Sequence, residues 1–273
     1  DQVYLGYFDS DICYTYDSGN NYFVPSNVTT DHTCSGKFSG NFMNWAAMTA
    51  IDEFIWTMTG GKRLVDSKTE TVIGRANKHN NNNWFPDKIL NNARNVTPST
   101  VTPFSQSTVH IRSIDLSDRI QFGTTQGSNN IGTYYVRIKS CVDSVKLSEN
   151  CETYTDGSGN FWYKPEGLIQ ENAHRMRFGV MAYTNHNSKD RDGGVLRAAM
   201  KFTGPVLPDG TANPDKEFDL DGLQLSITDP DSLASGSITK SGVINYINEF
   251  YVNAGYKGID PLGELYYQCI RYY

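Results

Sequence analysis

SGNFMNWAAMTAIDEFIWTMTGGKR, residues 39–63, is the most informative stretch of the chain. Phe42, Trp45, Met48, Ile51, Ile55 and Met58 recur at three- and four-residue steps, the spacing that lines one face of an α-helix. Met43, Ala47, Ala50 and Phe54 widen that face, leaving Asn44, Thr49, Asp52 and Glu53 for water. The spacing predicts one helix over 41–59, buried on most sides in a layered domain. Gly60-Gly61 then supplies the residue type that tolerates a left-handed backbone at a helix end.

Outward from this stretch, bulk properties narrow the function classes. The chain has 273 residues, enough to bury a substantial core in one or two domains. A net charge of −6 with no basic cluster argues against nucleic acid as a partner. No long run of apolar residues escapes charge, so no membrane span is expected; the best candidate, 42–58, contains Asp52 and Glu53. No signal peptide is visible. Seventeen tyrosines, Asn-rich loops and paired cysteines predict an exported surface protein whose leader has been removed.

Cys13 and Cys34 flank a Gly/Asn/Ser-rich loop, and Cys141 and Cys151 flank a short polar tip. Both spacings fit disulfide-closed loops in an oxidising compartment. Zinc is the rival, but no CxxC and no nearby His pair supports it. Cys269 is left over, a buried free thiol or a bond to an outside partner.

Several further segments of the sequence join the 39–63 stretch in one resemblance. Tyr7-Phe8-Asp9, residues 12–17 (ICYTYD), residues 22–25 (YFVP) and Cys34-Ser35-Gly36 precede it. Residues 163–170 (YKPEGLIQ), 175–181 (RMRFGVM), 193–197 (GGVLR), 260–267 (DPLGELYY) and 271–273 (RYY) follow it. In this order they resemble the type IV pilus tip adhesin and biogenesis factors of the PilY/PilC type. The resemblance implies an α/β fold: an incomplete von Willebrand A-like core, with a parallel sheet between helices, interrupted by a large β-rich insertion. An α+β arrangement is the alternative. On this reading 1–63 holds the N-terminal disulfide loop and first core helix, 64–172 the insertion, and 173–273 the remaining core. Helix 41–59 becomes the first helix, 176–183 a central strand covered on both faces, and 261–273 a later helix. The strand bearing the DxSxS metal motif has no counterpart and is expected before Asp1.

Other elements follow from pattern. Residues 77–108 are rich in Asn, Thr, Pro and Ser and read as a surface excursion. Tyr134, Val136, Ile138 and Val142 alternate with Tyr135, Arg137 and Lys139, predicting a half-exposed strand that enters the Cys141–Cys151 tip and returns through Phe161-Trp162-Tyr163. Ser241 can cap a short helix bearing Val243, Ile244, Ile247 and Phe250. Asp260 can cap a last helix whose stripe is Leu262, Leu265, Tyr266, Cys269, Ile270 and Tyr273, and the sequence stopping on that stripe predicts more chain in the parent protein.

Candidate sites are few. Asp215, Asp219 and Asp221, before Gly222, form a cluster of hard oxygen ligands that could hold calcium, although the spacing misses the EF-hand pattern and a solvated acidic loop is the simpler reading. Asp260 stands where the fold's metal-binding threonine is expected, and capping explains it more economically. The loop 185–194, with Asp190 and Asp192, is a weaker candidate. The five histidines are scattered, and no GxSxG elbow or phosphate loop occurs. Trp84, Phe85, Trp162 and Tyr163 lie in polar segments and suit sugar rings or protein partners, half of them being expected in ordinary core. The expected function is a non-enzymatic pilus-tip adhesin that assists pilus assembly and attachment. Its expected partners are minor pilins and a host or abiotic surface, glycan included. The rival is a secreted carbohydrate-active enzyme or glycan-binding module, encouraged by thirty carboxylates and aromatic loops.

Overall fold

Ser39 starts the first helix: its backbone is extended and its hydroxyl accepts from the Phe42 amide, so α1 runs Gly40–Ala47. Gly40 has to be glycine, because a Cβ there would meet the Asp9 carbonyl oxygen at 1.9 Å. Met48 then turns extended (φ −77°, ψ 149°), and α2 (Ala50–Thr59) begins after Thr49. Gly60 closes α2 in the left-handed conformation at φ 75°. The single helix expected over 41–59 is thus two.

The break gives Asp52 its role. Expected at the surface, it is fully buried. Its Oδ2 accepts from the Thr49 hydroxyl (2.7 Å) and amide (3.2 Å), capping the new helix start. Its Oδ1 accepts from the amides of Ala76 (2.8 Å) and Asn77 (3.2 Å) and from the Tyr7 hydroxyl (3.3 Å). The wholly buried Arg75 side chain places Nε 4.0 Å from Oδ2. Burial, then the Asp52 charge, holds the Tyr7 hydroxyl well above its ordinary pKa. Burial lowers the Arg75 pKa, and Asp52 opposes that shift.

Asn44 is the second polar residue turned inward. It accepts from the Phe8 amide (3.1 Å) and donates to the carbonyls of Tyr4 (2.8 Å) and Phe8 (2.7 Å). Phe54, expected on the buried face, is 47% exposed.

The computed structural model describes residues 2–77, 85–94, 96–115, 117–183, 193–226, 240–250 and 261–273. These fall into two compact units, Asp1–Pro165 and Glu166–Tyr273. In the first, a six-stranded sheet has the order β3 (Phe38–Ser39), β1 (Ile12–Asp17), β2 (Tyr22–Val28), β10 (Arg137–Ser140), β5 (Glu70–Gly74), β4 (Lys62–Ser67). Only β2 and β10 pair in parallel, through Phe23 and Ile138. A four-stranded antiparallel meander follows: β6 (Lys88–Asn91), β7 (Thr108–Ser113), β8 (Arg119–Thr125) and β9 (Ser128–Tyr135). Phe23, Phe38, Ile73 and Ile138 of one sheet, Ile111, Ile120 and Phe122 of the other, and Phe42 and Met43 of α1 share one core.

The compact units divide the chain differently from the expected segments 1–63, 64–172 and 173–273. Residues 70–74 and 137–140 of the expected insertion complete the sheet that begins at Ile12. The stretch 77–108 is not an excursion where described: Leu90, the short helix α3 (Pro98–Val101) through Val101, and β6 belong to the core. The alternating run 134–142 breaks at the fully buried Val136, where the chain leaves the meander for the six-stranded sheet. Phe161–Tyr163 return instead against Thr153–Thr155, in a separate hairpin of β11 (Cys151–Thr155) and β12 (Phe161–Pro165).

In the second unit, the short helix α4 (Leu168–Glu171) precedes an antiparallel hairpin of β13 (Arg177–Tyr183) and β14 (Gly194–Phe202). β13 is half-exposed among the described residues rather than central, and its partner is antiparallel rather than parallel. Helices α5 (Val243–Asn248) and α6 (Leu262–Tyr272) pack against the hairpin. Ser241 does not cap α5; the fully buried Glu217 accepts from the amides of Val243 (2.8 Å) and Ile244 (2.7 Å). The stripe of α6 is exposed at Leu262, Tyr266, Ile270 and Tyr273. Asp260, Asp190 and Asp192 lie outside the described residues.

Asp52→Ala should lower the unfolding free energy by about 3–5 kcal/mol, the usual loss when one partner of a buried charge pair is removed. Glu53→Gln, on the exposed neighbour, should stay within about 0.5 kcal/mol. Urea denaturation measures both, and equal losses would show that the buried carboxylate is incidental.

Candidate functional site

Most of the residues singled out from sequence are structural. Phe85 is buried, with the Arg75 guanidinium 4.4 Å and the Lys88 ammonium 5.0 Å from its ring centre. Trp162 is buried between the Tyr154 ring, stacked at 6.5 Å, and Lys68, 4.3 Å from its ring centre. Tyr163 is half-buried in the β11–β12 pairing. Trp84 lies outside the described residues. Arg75 and Lys88 thus cover Phe85, and Lys68 and the Tyr154 ring cover Trp162, so neither aromatic stands as an open surface ring.

Asp215, Asp219 and Asp221 do not converge either. Asp219 turns its Oδ1 to the amides of Asp221 and Leu223, both at 2.9 Å, and among the described residues no three metal-ligating side chains form a group. Cys13–Cys34 and Cys141–Cys151 are bonded, with Cα–Cα distances of 5.5 and 5.6 Å. Cys269 is free and half-buried, beside Met181 and Met200 of the hairpin.

A cleft of about 670 Å³ opens on the first unit, within the range of small-ligand sites. Its floor is α1, through Asn41, Phe42 and Trp45, with the capping Ser39 and Leu90 of β6. The segment Gln2–Tyr4 forms one wall. Asn41 holds it, accepting from the Tyr4 amide (2.7 Å) and donating to the Gln2 carbonyl (3.0 Å). Asp31, His32 and Thr33 form a second wall inside the Cys13–Cys34 loop. The Cys34 amide donates to the Thr100 carbonyl at 2.6 Å, tying that loop to α3, the third wall.

The groups facing this cleft are chemically mixed. Asp31 Oδ1 accepts from the Thr33 hydroxyl (2.7 Å) and amide (3.0 Å) and from the Thr29 hydroxyl (2.9 Å). These bonds, the Thr33 hydroxyl first, hold its pKa down to about 2. His32 has a left-handed backbone (φ 61°), and its Nδ1 sits 2.8 Å from the Ser10 carbonyl oxygen. A carbonyl only accepts, so Nδ1 carries the hydrogen and Nε2 of the neutral ring is an acceptor. Trp45 packs against Phe42, ring centres 6.0 Å apart. No lysine or arginine is among the described lining residues.

Lys88 stands behind this floor. Its ammonium donates to the carbonyls of Trp45 (2.5 Å) and Ala46 (3.3 Å) at the C-terminal end of α1, where a cation is favourable. Burial nevertheless lowers its pKa to about 8, and the Arg75 charge adds to that shift.

Sequence reasoning missed the cleft because its walls come from four separate stretches. The Cys13–Cys34 spacing was the available signal, since that loop carries Asp31, His32 and Thr33.

A family profile described as "PilY1 homolog, small alpha/beta domain" matches residues 1–138. The chain belongs to the PilY1-homolog family. It is similar to two proteins of Xylella fastidiosa (strain Temecula1 / ATCC 700964), each named "Type IV pilus biogenesis factor PilY1 homolog". The first is 34% identical over 99% of this chain and 26% of the relative, the second 24% identical over 72% and 16%. The chain thus spans about a quarter or less of the length of these relatives. No solved structure matches it significantly. The mixed α/β character of the first unit agrees with the family description.

The buried Lys88 predicts a pH signature. Its folded-state pKa of about 8 lies below the unfolded 10.5, so between these values the unfolded chain binds more protons and stability rises with pH. Urea titrations of wild type and Lys88→Met from pH 7 to 10 should show wild type gaining on the variant above pH 8. A constant difference would mean that the ammonium is well solvated. Tyr7 and Tyr14, both raised by burial, titrate in both proteins and cancel in the comparison.

Proposed function

We propose that this chain is a non-enzymatic region of a type IV pilus biogenesis factor, displayed at the pilus tip, where it supports pilus assembly and attachment to surfaces. The observation that carries this reading is the 34% identity to a "Type IV pilus biogenesis factor PilY1 homolog" over 99% of the chain. Two disulfides support export through an oxidising periplasm to the cell surface. Among the described residues no helix is long and apolar enough to cross a membrane, a statement that leaves β-barrels aside. Minor pilins are the proposed partners in assembly, and a host or abiotic surface the partner in attachment.

We assign the second unit to a von Willebrand A-like layer of the longer parent protein. Its support is the packing of helices α5 and α6 against one pair of strands, and the antiparallel pairing of those strands departs from the parallel sheet of that fold. A glycosidase reading is disfavoured at the cleft. Glycoside hydrolysis ordinarily takes two flanking carboxylates, whereas Asp31 is the single carboxylate among the described lining residues.

An in-frame deletion of these residues from the parent gene tests the proposal. The expected result is fewer surface pili by electron microscopy, weaker attachment to glass and epithelial monolayers, and loss of minor-pilin capture by the tagged parent. Unchanged piliation, attachment and pilin capture would overturn it.

A further inference from the structure

The cleft on the first unit has features that assembly of a pilus does not explain. It is preformed: Asn41 fixes one wall, and the Cys13–Cys34 bond and the Cys34–Thr100 hydrogen bond fix another. Preorganised walls spare a ligand the entropy of ordering them. The three hydrogen bonds that the Asp31 side chain accepts all fall on Oδ1, and the residue is exposed. His32 holds an unusual left-handed backbone that a carbonyl and a neighbouring carboxylate, Asp11 at 3.5 Å, keep in place.

We infer that this cleft is a binding site for a neutral carbohydrate, with Trp45 and Tyr4 as the ring platforms and Asp31 and His32 as the hydroxyl acceptors. A sugar ring combines an apolar C–H face with a rim of hydroxyl donors. Aromatic faces match the first and acceptor atoms match the second. The described lining offers one carboxylate and no lysine or arginine to pair with an anion, which disfavours acidic sugars and phosphates. A volume of about 670 Å³ leaves room for more than one ring. This inference deepens the attachment reading and rests on it only for biological meaning. Sugar binding is a property of the purified chain and does not require a pilus.

The test is a binding screen of the intact chain against neutral di- to tetrasaccharides of gluco, galacto and manno configuration. Sialylated and uronic-acid glycans and uncharged peptides serve as comparison probes, with hits followed by NMR titration. At least one neutral sugar series should bind with a Kd at or below about 1 mM. Asp31→Asn, which keeps the side-chain shape, should weaken that binding at least about tenfold. Thr97→Trp, at an exposed position on the cleft rim, should abolish it. Phe161→Ala, an exposed aromatic of β12 outside the cleft, should leave it unchanged. Urea denaturation should show all three variants folded.

Absence of neutral-sugar binding, preference for acidic glycans or peptides, or binding insensitive to both Asp31→Asn and Thr97→Trp would overturn the inference. The two readings fail separately. Pili that form and attach normally without these residues sink the attachment role while the purified chain still binds sugar. A chain that binds no sugar, although its deletion abolishes attachment, sinks only the cleft.

Discussion

A carboxylate with no access to water holds the first unit together. Asp52 accepts five hydrogen bonds, from Thr49 twice, Ala76, Asn77 and Tyr7, and faces the buried guanidinium of Arg75. Removing a carboxylate from water is expensive unless such donors replace the lost hydration. The donors come from three different parts of the chain. Thr49 starts α2, Ala76 follows β5, and Tyr7 belongs to the N-terminal segment. Satisfying one charge therefore fixes where three segments meet. Arg75 continues the chain of contacts by donating to Ser113 of β7 and covering Phe85.

The same device recurs. In the second unit Glu217 caps α5 through two backbone amides and sits 3.4 Å from Lys201; burial raises its pKa against these favourable contacts. Lys164, in the KP motif of β12, is fully buried and donates to Asp66 and Thr71 at 2.8 Å and to the Ser67 carbonyl, fastening the β11–β12 hairpin to the β4–β5 hairpin. Asn41 and Asn44 hold the N-terminal segment against α1. Many of the polar residues in the recognisable motifs thus act as internal ties, whereas Asp31 and His32 of the cleft lie outside those motifs. Motifs that identify the family are here mostly motifs of folding.

How much could be read from sequence follows from which interactions are local. The cysteine pairs were readable because each closes a loop between neighbouring elements. Gly60 was readable because only a residue tolerant of positive φ ends a helix that way. Periodicity located the apolar face of 39–63 but assigned Asn44 and Asp52 to water, since a polar residue on a helix reads as exposed unless its distant partners are known. Phe85 and Trp162 looked like surface aromatics because their neighbours in sequence are polar. In space, Arg75 and Lys68 come from more than nine residues away and cover them. The meander could not be joined to the N-terminal strands from pattern alone, because Val136 carries one alternating run from one sheet into the other. The cleft is the extreme case, assembled from residues 2–4, 31–33, 39–45 and 90–101.

The most direct measurement of the Asp52 account is amide hydrogen exchange resolved by NMR. The Ala76 amide lies beyond the end of β5, and its partner is the Asp52 carboxylate at 2.8 Å rather than a backbone carbonyl. If the buried carboxylate organises the unit, that amide should exchange only through global unfolding, as slowly as the core amides of β7 and β8. Exchange on the time scale of exposed loops would show that the carboxylate is hydrated and that the fold is held by its apolar core alone.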